Sequence, residues 1–258
     1  MPTLRICTYN IHKGFSQFNR RLVIHDLREQ LRSLEADLVF LQEVQGMHLA
    51  HAQRHPEWPA IPQHHFLAEG AWLDSAYGGN AIYDHGHHGN AILSRFPIAS
   101  SANQDVSDHR FERRGLLHCE IDVPGMAGRL HAVCVHLGLF AGSRRRQMEA
   151  LAERMQVLAG DDEPIIIAGD FNDWRNHADR LLARRLGLRE VFCGGRGRPA
   201  RSFPSQLPLF RLDRIYVRGF DIECAEAHFG GAWARISDHA ALTATLHRPA
   251  GRARAAHA

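Results

Sequence analysis

The sequence predicts an α/β fold in which two mixed β-sheets pack face to face with helices outside them. Apolar runs rich in β-branched residues recur along the chain, each bounded by turn residues and most with a polar side chain at one end. Two segments, 20–35 and 144–159, repeat their apolar residues at helical spacing instead. No long linker, low-complexity block or short-period repeat interrupts the pattern, so residues 1–248 read as one domain. Only the aperiodic basic tail, 249–258, reads as disordered.

In chain order, Leu4 to Tyr9 is a first strand ending at Asn10. Leu22, Ile24, Leu27, Leu31 and Leu34 then mark a helix, with Asn19 as its candidate N-cap. Asp37 to Glu43 is the next strand. Residues 89–101, 115–123 and 129–137 follow as strands among the turn signals Pro97, Pro124 and Gly125. Arg144 to Ala159 is a helix capped by Ser143, with Met148, Leu151, Met155 and Leu158 on one face. A strand over 164–169, a helix near 174–186, and strands Leu212–Val217 and Ala240–Leu246 complete the reading.

At 258 residues and 45% apolar composition the chain can bury a core without staples. Its net charge of +3 excludes a polycation, although Arg144–Arg146 and Arg196, Arg198 and Arg201 form local basic clusters. The five cysteines are scattered, odd in number and without a C-x-x-C pair, which points to reduced thiols and a cytoplasmic protein. No signal-peptide layout opens the chain, and no apolar run approaches the about 20 residues that span a bilayer. A monomer is the default expectation. The histidines crowded at 85, 87 and 88 lack metal-finger spacing and read as surface residues.

The candidate site lies in the polar residues at strand ends: Asn10, Glu43, His136, Asp170, Asn172, Asp213, Asp238 and His239. In IIIAGDFNDW a wholly apolar strand carries Asp170 to its end, as an anchor carries a working group. Carboxylates, amides and few imidazoles, with no cysteine, suit Mg²⁺ or Mn²⁺. Such a set supplies what phosphoester hydrolysis needs: a hard cation, a base to aim water, and donors for the charge on phosphorus oxygens. A carboxylate within reach of His239 would favour its protonated form. Taken singly, each residue reads equally as a cap, a turn or a structural histidine.

TYNIHKG, LQEV, HHGNAILSR, VHLGL, IAGDFNDW, RLDRIYV and SDHAAL occur in the order seen in the endonuclease/exonuclease/phosphatase superfamily, which the chain resembles from about residue 4 to 246. It looks especially like a small bacterial branch of that group, with motif style near tyrosyl-DNA phosphodiesterase 2. The resemblance implies a four-layer α-β-β-α sandwich of the deoxyribonuclease I type and divalent-metal-dependent phosphoester hydrolysis. It implies Asn10, Glu43 and Asp238 at the metal or its waters, with Glu43 the principal ligand. Asp170 would orient or deprotonate water and Asn172 would help position it. His136 and His239 would donate to phosphate, with Asp213 orienting His239. Abasic endonucleases carry tyrosine at the position of His136, and the paired cysteines of secreted deoxyribonucleases are missing, so both identities recede.

Arg144 and Arg145, with Arg113 and Arg114, either contact flanking phosphates or form solvated surface. Phe203 to Phe210 is unusually apolar for a loop; it either packs, or stacks a base or a lipid chain. The expected substrate is a phosphodiester, with nuclease or DNA-end processing ahead of phospholipid or inositide cleavage. A non-catalytic nucleic-acid- or lipid-binding scaffold is the competing class. Such a scaffold should have lost Glu43, Asp170 or His239, and the chain has all three.

Overall fold

A computed structural model describes residues 2–84, 86–109, 112–193 and 198–249. His85, Arg196 and the tail from 250 lie outside them. The first half carries β1 (Thr3–Asn10), α1 (Ile24–Ser33), β2 (Leu38–His48), α2 (Leu49–Arg54), α3 (Gln63–Ala68), β3 (Asp74–Tyr83), β4 (Gly86–Ser94) and β5 (Ile98–Asp105). The second carries β6 (Gly115–Ile121), β7 (Leu130–His136), α4 (Ala141–Leu158), β8 (Ile165–Asp170), α5 (His177–Leu186), β9 (Arg189–Glu190), β10 (Asp213–Arg218), β11 (Asp221–His228) and β12 (Ala241–His247). Two six-stranded mixed sheets result, ordered β11-β12-β1-β2-β4-β3 and β5-β6-β7-β8-β10-β9.

Three apolar clusters fix the layers. Ile6, Phe40 and Ile92 of the first sheet meet Leu117, Ile166 and Ile215 of the second. Ile24, Leu27 and Leu31 of α1 cover the first sheet's outer face against Val39 and Leu41. Met148, Leu151 and Met155 of α4 and Leu182 of α5 cover the second against Val133 and Ile167. The expected sandwich with helices outside is therefore present. Among the described residues no helix is long and apolar enough to cross a membrane.

Each sheet contains one parallel pair, β1·β2 and β7·β8, joined by crossovers that include α1 and α4 respectively. The carboxyl ends of β1, β2, β7 and β8 gather at one edge of the sandwich, joined by the amino ends of antiparallel β10 and β12. That edge holds the polar strand ends of the sequence.

Several boundaries differ from expectation. The helix expected from residue 20 starts at Ile24 with Val23, not Asn19, at its N-cap. Ser143 lies inside the first turn of α4 and donates to Asp108 Oδ2 (2.6 Å), while Phe140 holds the cap position. The strand expected over 89–101 breaks near Pro97, where the chain leaves one sheet for the other. Strands β3 and β11 were not anticipated. Both are edge strands with much of their surface open to solvent, so Gly, Asn, Asp and Glu dilute the apolar signal. All five cysteines are free, and burial pushes the Cys119 and Cys134 thiols up to about 12.

Gly169 explains the step from apolar run to carboxylate. Its φ is +148°, and a Cβ there would meet the Val135 carbonyl oxygen at 1.9 Å on the paired strand β7. Gly169→Ala should therefore lose about 3 kcal/mol or more of stability, read from urea unfolding. An unchanged midpoint would show that the close approach imposes no constraint.

Candidate active site

Register brings the site together before any side chain is considered. Asp170 pairs with His136 on one side and with Asp213 on the other, so three neighbouring strand ends present them in a row. Asn10 ends β1 opposite Gln42, and Glu43 follows on β2. His239 precedes β12, the antiparallel neighbour of β1. Its backbone N–H donates to Ser237 Oγ (3.2 Å), which donates to the Asn10 carbonyl (2.7 Å). Buried Ser237, given no role from sequence, ties these two segments together through its hydroxyl.

Asp170 is the hub. Its Oδ1 accepts from the Asn172 backbone N–H (2.9 Å), and its Oδ2 accepts from Asn10 Nδ2 (3.3 Å). His136 Nε2 and His239 Nε2 stand 3.6 and 3.9 Å from the same Oδ2. Burial raises the Asp170 pKa, and the nearby Asp213 charge raises it further; His239 and the Asn172 and Asn10 donors offset part of this, leaving it at about 6. Asn172 donates through Nδ2 to the Leu137 carbonyl (2.9 Å), which fixes its amide plane.

The two imidazoles are in opposite states. Burial works against the charged form of His239, but Asp213, which accepts from Nδ1 at 2.8 Å, then Asp170 and Asp238, raise it to about 10. Burial and then the Arg114 charge hold His136 well below the ordinary histidine range. At neutral pH a cationic His239 and a neutral His136 therefore flank one carboxylate, a separation of states that comes from environment alone.

Asn10 Nδ2 lies between two carboxylate oxygens, 3.4 Å from Glu43 Oε1 and 3.3 Å from Asp170 Oδ2. A half-turn of the amide, made at the loss of the bond its Oδ1 accepts from the His12 N–H (3.2 Å), would set its oxygen there and make an all-oxygen donor set that suits a hard divalent cation. Burial would raise the Glu43 pKa, but the cationic groups around it, Lys13 and His239 among them, override burial and bring it to about 2. Its Oε2 faces Lys13 Nζ at 3.7 Å, beyond hydrogen-bond distance, so lone pairs remain for a metal. Ligand atoms of Asp170, Asp213 and His239 also lie within 4.8 Å of one another. The 2.8 Å His239–Asp213 contact already uses Nδ1, so that trio is a hydrogen-bonded relay rather than an ion cage.

Asn10, Glu43, His136, Asp170, Asn172 and His239 line one cavity of about 550 Å³ with Arg114, Phe203 and Phe210. Leu139, Trp174 and Leu212, not singled out from sequence, line it too. Asp213 lies beneath, fully buried. Asp238 is off the cavity wall and faces His12 Nδ1 at 3.4 Å. Arg144 does not present its guanidinium to the cavity: it is buried, donates to the Gly138 (3.2 Å) and Leu139 carbonyls, and stacks on Trp174 at 4.7 Å. Arg113 is also off the cavity wall and faces Asp105 at 3.9 Å. Arg145 is exposed in a neighbouring groove. Of seven described non-glycine residues with positive φ, His12, Lys13, Glu43 and Asn172 belong to this site, which concentrates backbone strain there.

The Endonuclease/Exonuclease/phosphatase family model matches residues 7–239. The Escherichia coli (strain K12) protein YbhP is 48% identical over 246 residues, which cover 95% of this chain and 96% of that protein. Among solved structures, an endonuclease/exonuclease/phosphatase from Beutenbergia cavernae has a TM-score of 0.75 at 18% identity, covering 96% of this chain and 72% of that one. Humanized D. rerio TDP2 has a TM-score of 0.63 at 20% identity, covering 95% and 99%. At these identities the solved structures speak to the fold.

The Asp213–His239 pair carries a pH signature. A raised folded-state pKa stabilises the protein fully below the unfolded histidine value of about 6.5, and that contribution is lost as pH rises towards about 10. Asp213→Asn should therefore be less stable than wild type at pH 6, with the difference shrinking as pH approaches 10 in metal-free urea unfolding. A difference independent of pH would contradict the charged pair.

Proposed function

The chain belongs to the endonuclease/exonuclease/phosphatase family, and from that premise we propose that it is a divalent-metal-dependent phosphodiesterase in which water attacks phosphorus in line. The observation that carries this reading is a single carboxylate, Asp170, held between a cationic and a neutral imidazole on the wall of an open cavity. Such an arrangement orients one small nucleophile and presents charge opposite it.

In this reading Asp170 accepts a proton from the attacking water as the new O–P bond forms and the ester P–O bond breaks. Asn172, fixed by its bond to the Leu137 carbonyl, positions that water and a phosphate oxygen. His239 keeps its charge through Asp213 and donates from Nε2 to the charge gathering on phosphorus oxygens; neutral His136 donates from the other side. Glu43 and Asn10 would hold Mg²⁺ or Mn²⁺, with Asp238 acting through His12 or through metal-bound waters. When bound, the cation supplies neutralisation of phosphate charge.

Two substrate classes fit this chemistry. Nucleic acid, first on sequence grounds, is supported by a groove of about 1020 Å³ lined by arginines of α4 and α5, which shares Leu139 and Trp174 with the cavity. Phospholipid is supported by the exposed apolar residues on the loops that line the cavity, Leu139, Trp174 and Phe210 among them. A scaffold without chemistry has no use for a charged imidazole anchored beside a strained carboxylate loop.

Asp170→Asn and His239→Ala should each lower turnover of bis(p-nitrophenyl) phosphate by about 10²–10⁴-fold while far-UV circular dichroism is retained. Near-normal turnover in either variant would remove that residue from the mechanism. Glu43→Gln should weaken Mn²⁺ binding by about tenfold or more in calorimetric titration of the metal-free protein. Unchanged affinity would move the metal away from Glu43.

A further inference from the structure

Three loops that contribute side chains to the cavity wall also expose large apolar side chains. Leu139 and Phe140 follow β7, Trp174 follows β8, and Leu207, Leu209 and Phe210 belong to the loop before β10. Each is between 44% and 70% exposed, although Leu139, Trp174 and Phe210 also line the catalytic cavity. The last loop is built rather than loose. Phe203 and Phe210 form a bridge, the Leu209 N–H donates to the Phe203 carbonyl (2.8 Å), and the Ser205 N–H donates to the Asp238 carbonyl (2.7 Å). Of the alternatives the sequence left open for this segment, packing holds for Phe203, which lies 5.1 Å from the His239 ring, but not for the exposed Leu207 and Leu209. An ordered apolar rim around a polar site implies an apolar counterpart.

Charge beside the rim narrows the counterpart. The adjoining α4–α5 groove exposes Arg145, Arg175, Arg180 and Arg184. Its acidic members are Glu149, 3.9 Å from Arg145, and buried Asp173, which accepts from the Ala178 N–H. Arg175, Arg180 and Arg184 have no ion-pair partner among the described residues. His177, Arg180 and Arg184 are spaced three and four residues apart and so form one stripe along α5.

Single-stranded nucleic acid would use the arginines and could stack on Trp174 or Phe140, but Leu139, Leu207 and Leu209 offer no ring to a base. Hydrocarbon accepts aliphatic and aromatic side chains alike, and anionic headgroups accept arginine. We propose that this face docks on an anionic phospholipid surface: Leu139, Phe140, Trp174, Leu207, Leu209 and Phe210 enter the headgroup–acyl boundary while Arg175, Arg180 and Arg184 face the headgroups. Resting on the phosphodiesterase reading, this assigns the substrate as a phospholipid diester, cleaved by water to a phosphomonoester and an alcohol. Docking sets the cavity mouth at the depth of the headgroup phosphates.

The test is co-sedimentation of the full chain with vesicles of phosphatidylcholine alone or mixed with phosphatidylglycerol, without added metal, with a single-stranded oligonucleotide as competitor. Wild type should bind the mixed vesicles at least about tenfold more tightly than the neutral ones. Leu207→Asp/Leu209→Asp and Arg180→Glu/Arg184→Glu should each weaken that binding about tenfold or more. Both double variants should keep wild-type turnover of soluble bis(p-nitrophenyl) phosphate, which shows that they are folded. Equal binding to both vesicles, vesicle binding unaffected by the leucine changes, or tight oligonucleotide binding in place of vesicle binding would overturn the proposal; the last would assign the groove to nucleic acid. Absent turnover by wild type with vesicle binding intact would sink the phosphodiesterase reading and its phospholipid substrate while leaving the docking face standing.

Discussion

A carboxylate at the end of a strand buried along its whole length has to be met by hydrogen bonds or opposite charge, and the architecture of the site follows from how Asp170 is met. Water cannot solvate it from within the sheet. Neighbouring strands supply His136 and Asp213 by register, the chain's own next turn supplies the Asn172 amide, and the facing sheet supplies Asn10. Both sheets must be in place for that set to exist. The Ser237 hydroxyl, bonded to the Asn10 carbonyl, keeps the His239 segment aligned with β1 across 227 residues of sequence.

From this one constraint comes the division of labour between two histidines of the same type. His239 has a carboxylate behind it and stays charged; His136 is buried, with the Arg114 charge nearby, and stays neutral. Neither state depends on the residue itself. The positive φ values at His12, Lys13, Glu43 and Asn172 have a related origin, since the chain must turn sharply at a strand end to aim a short side chain back at the seam.

The sequence made the centre of the sandwich legible because central strands are apolar throughout: IIIAGD, LVFLQE and LHAVCVH need no alternation to be read. Edges were less legible. In β3 and β11 most residues are exposed or half-buried, and the composition no longer separates strand from loop. Site residues were visible where motif and strand end coincided. Ser237, His12 and Lys13 were given no role, because their place depends on a distant segment folding back. Arg144 misled for a physical reason: within an arginine run nothing marks the one side chain that turns inward to cap carbonyls and stack on Trp174.

The most direct measurement is hydrolysis by the wild-type chain of bis(p-nitrophenyl) phosphate, supercoiled DNA, a 5′-phosphotyrosyl oligonucleotide and a phospholipid dispersion, each with Mg²⁺, Mn²⁺ or chelator. Turnover of at least one diester that appears with metal and vanishes with chelator is the predicted result. No turnover of any of the four, or turnover indifferent to chelator, would contradict the assignment of Asp170 and its flanking imidazoles to metal-dependent phosphodiester hydrolysis.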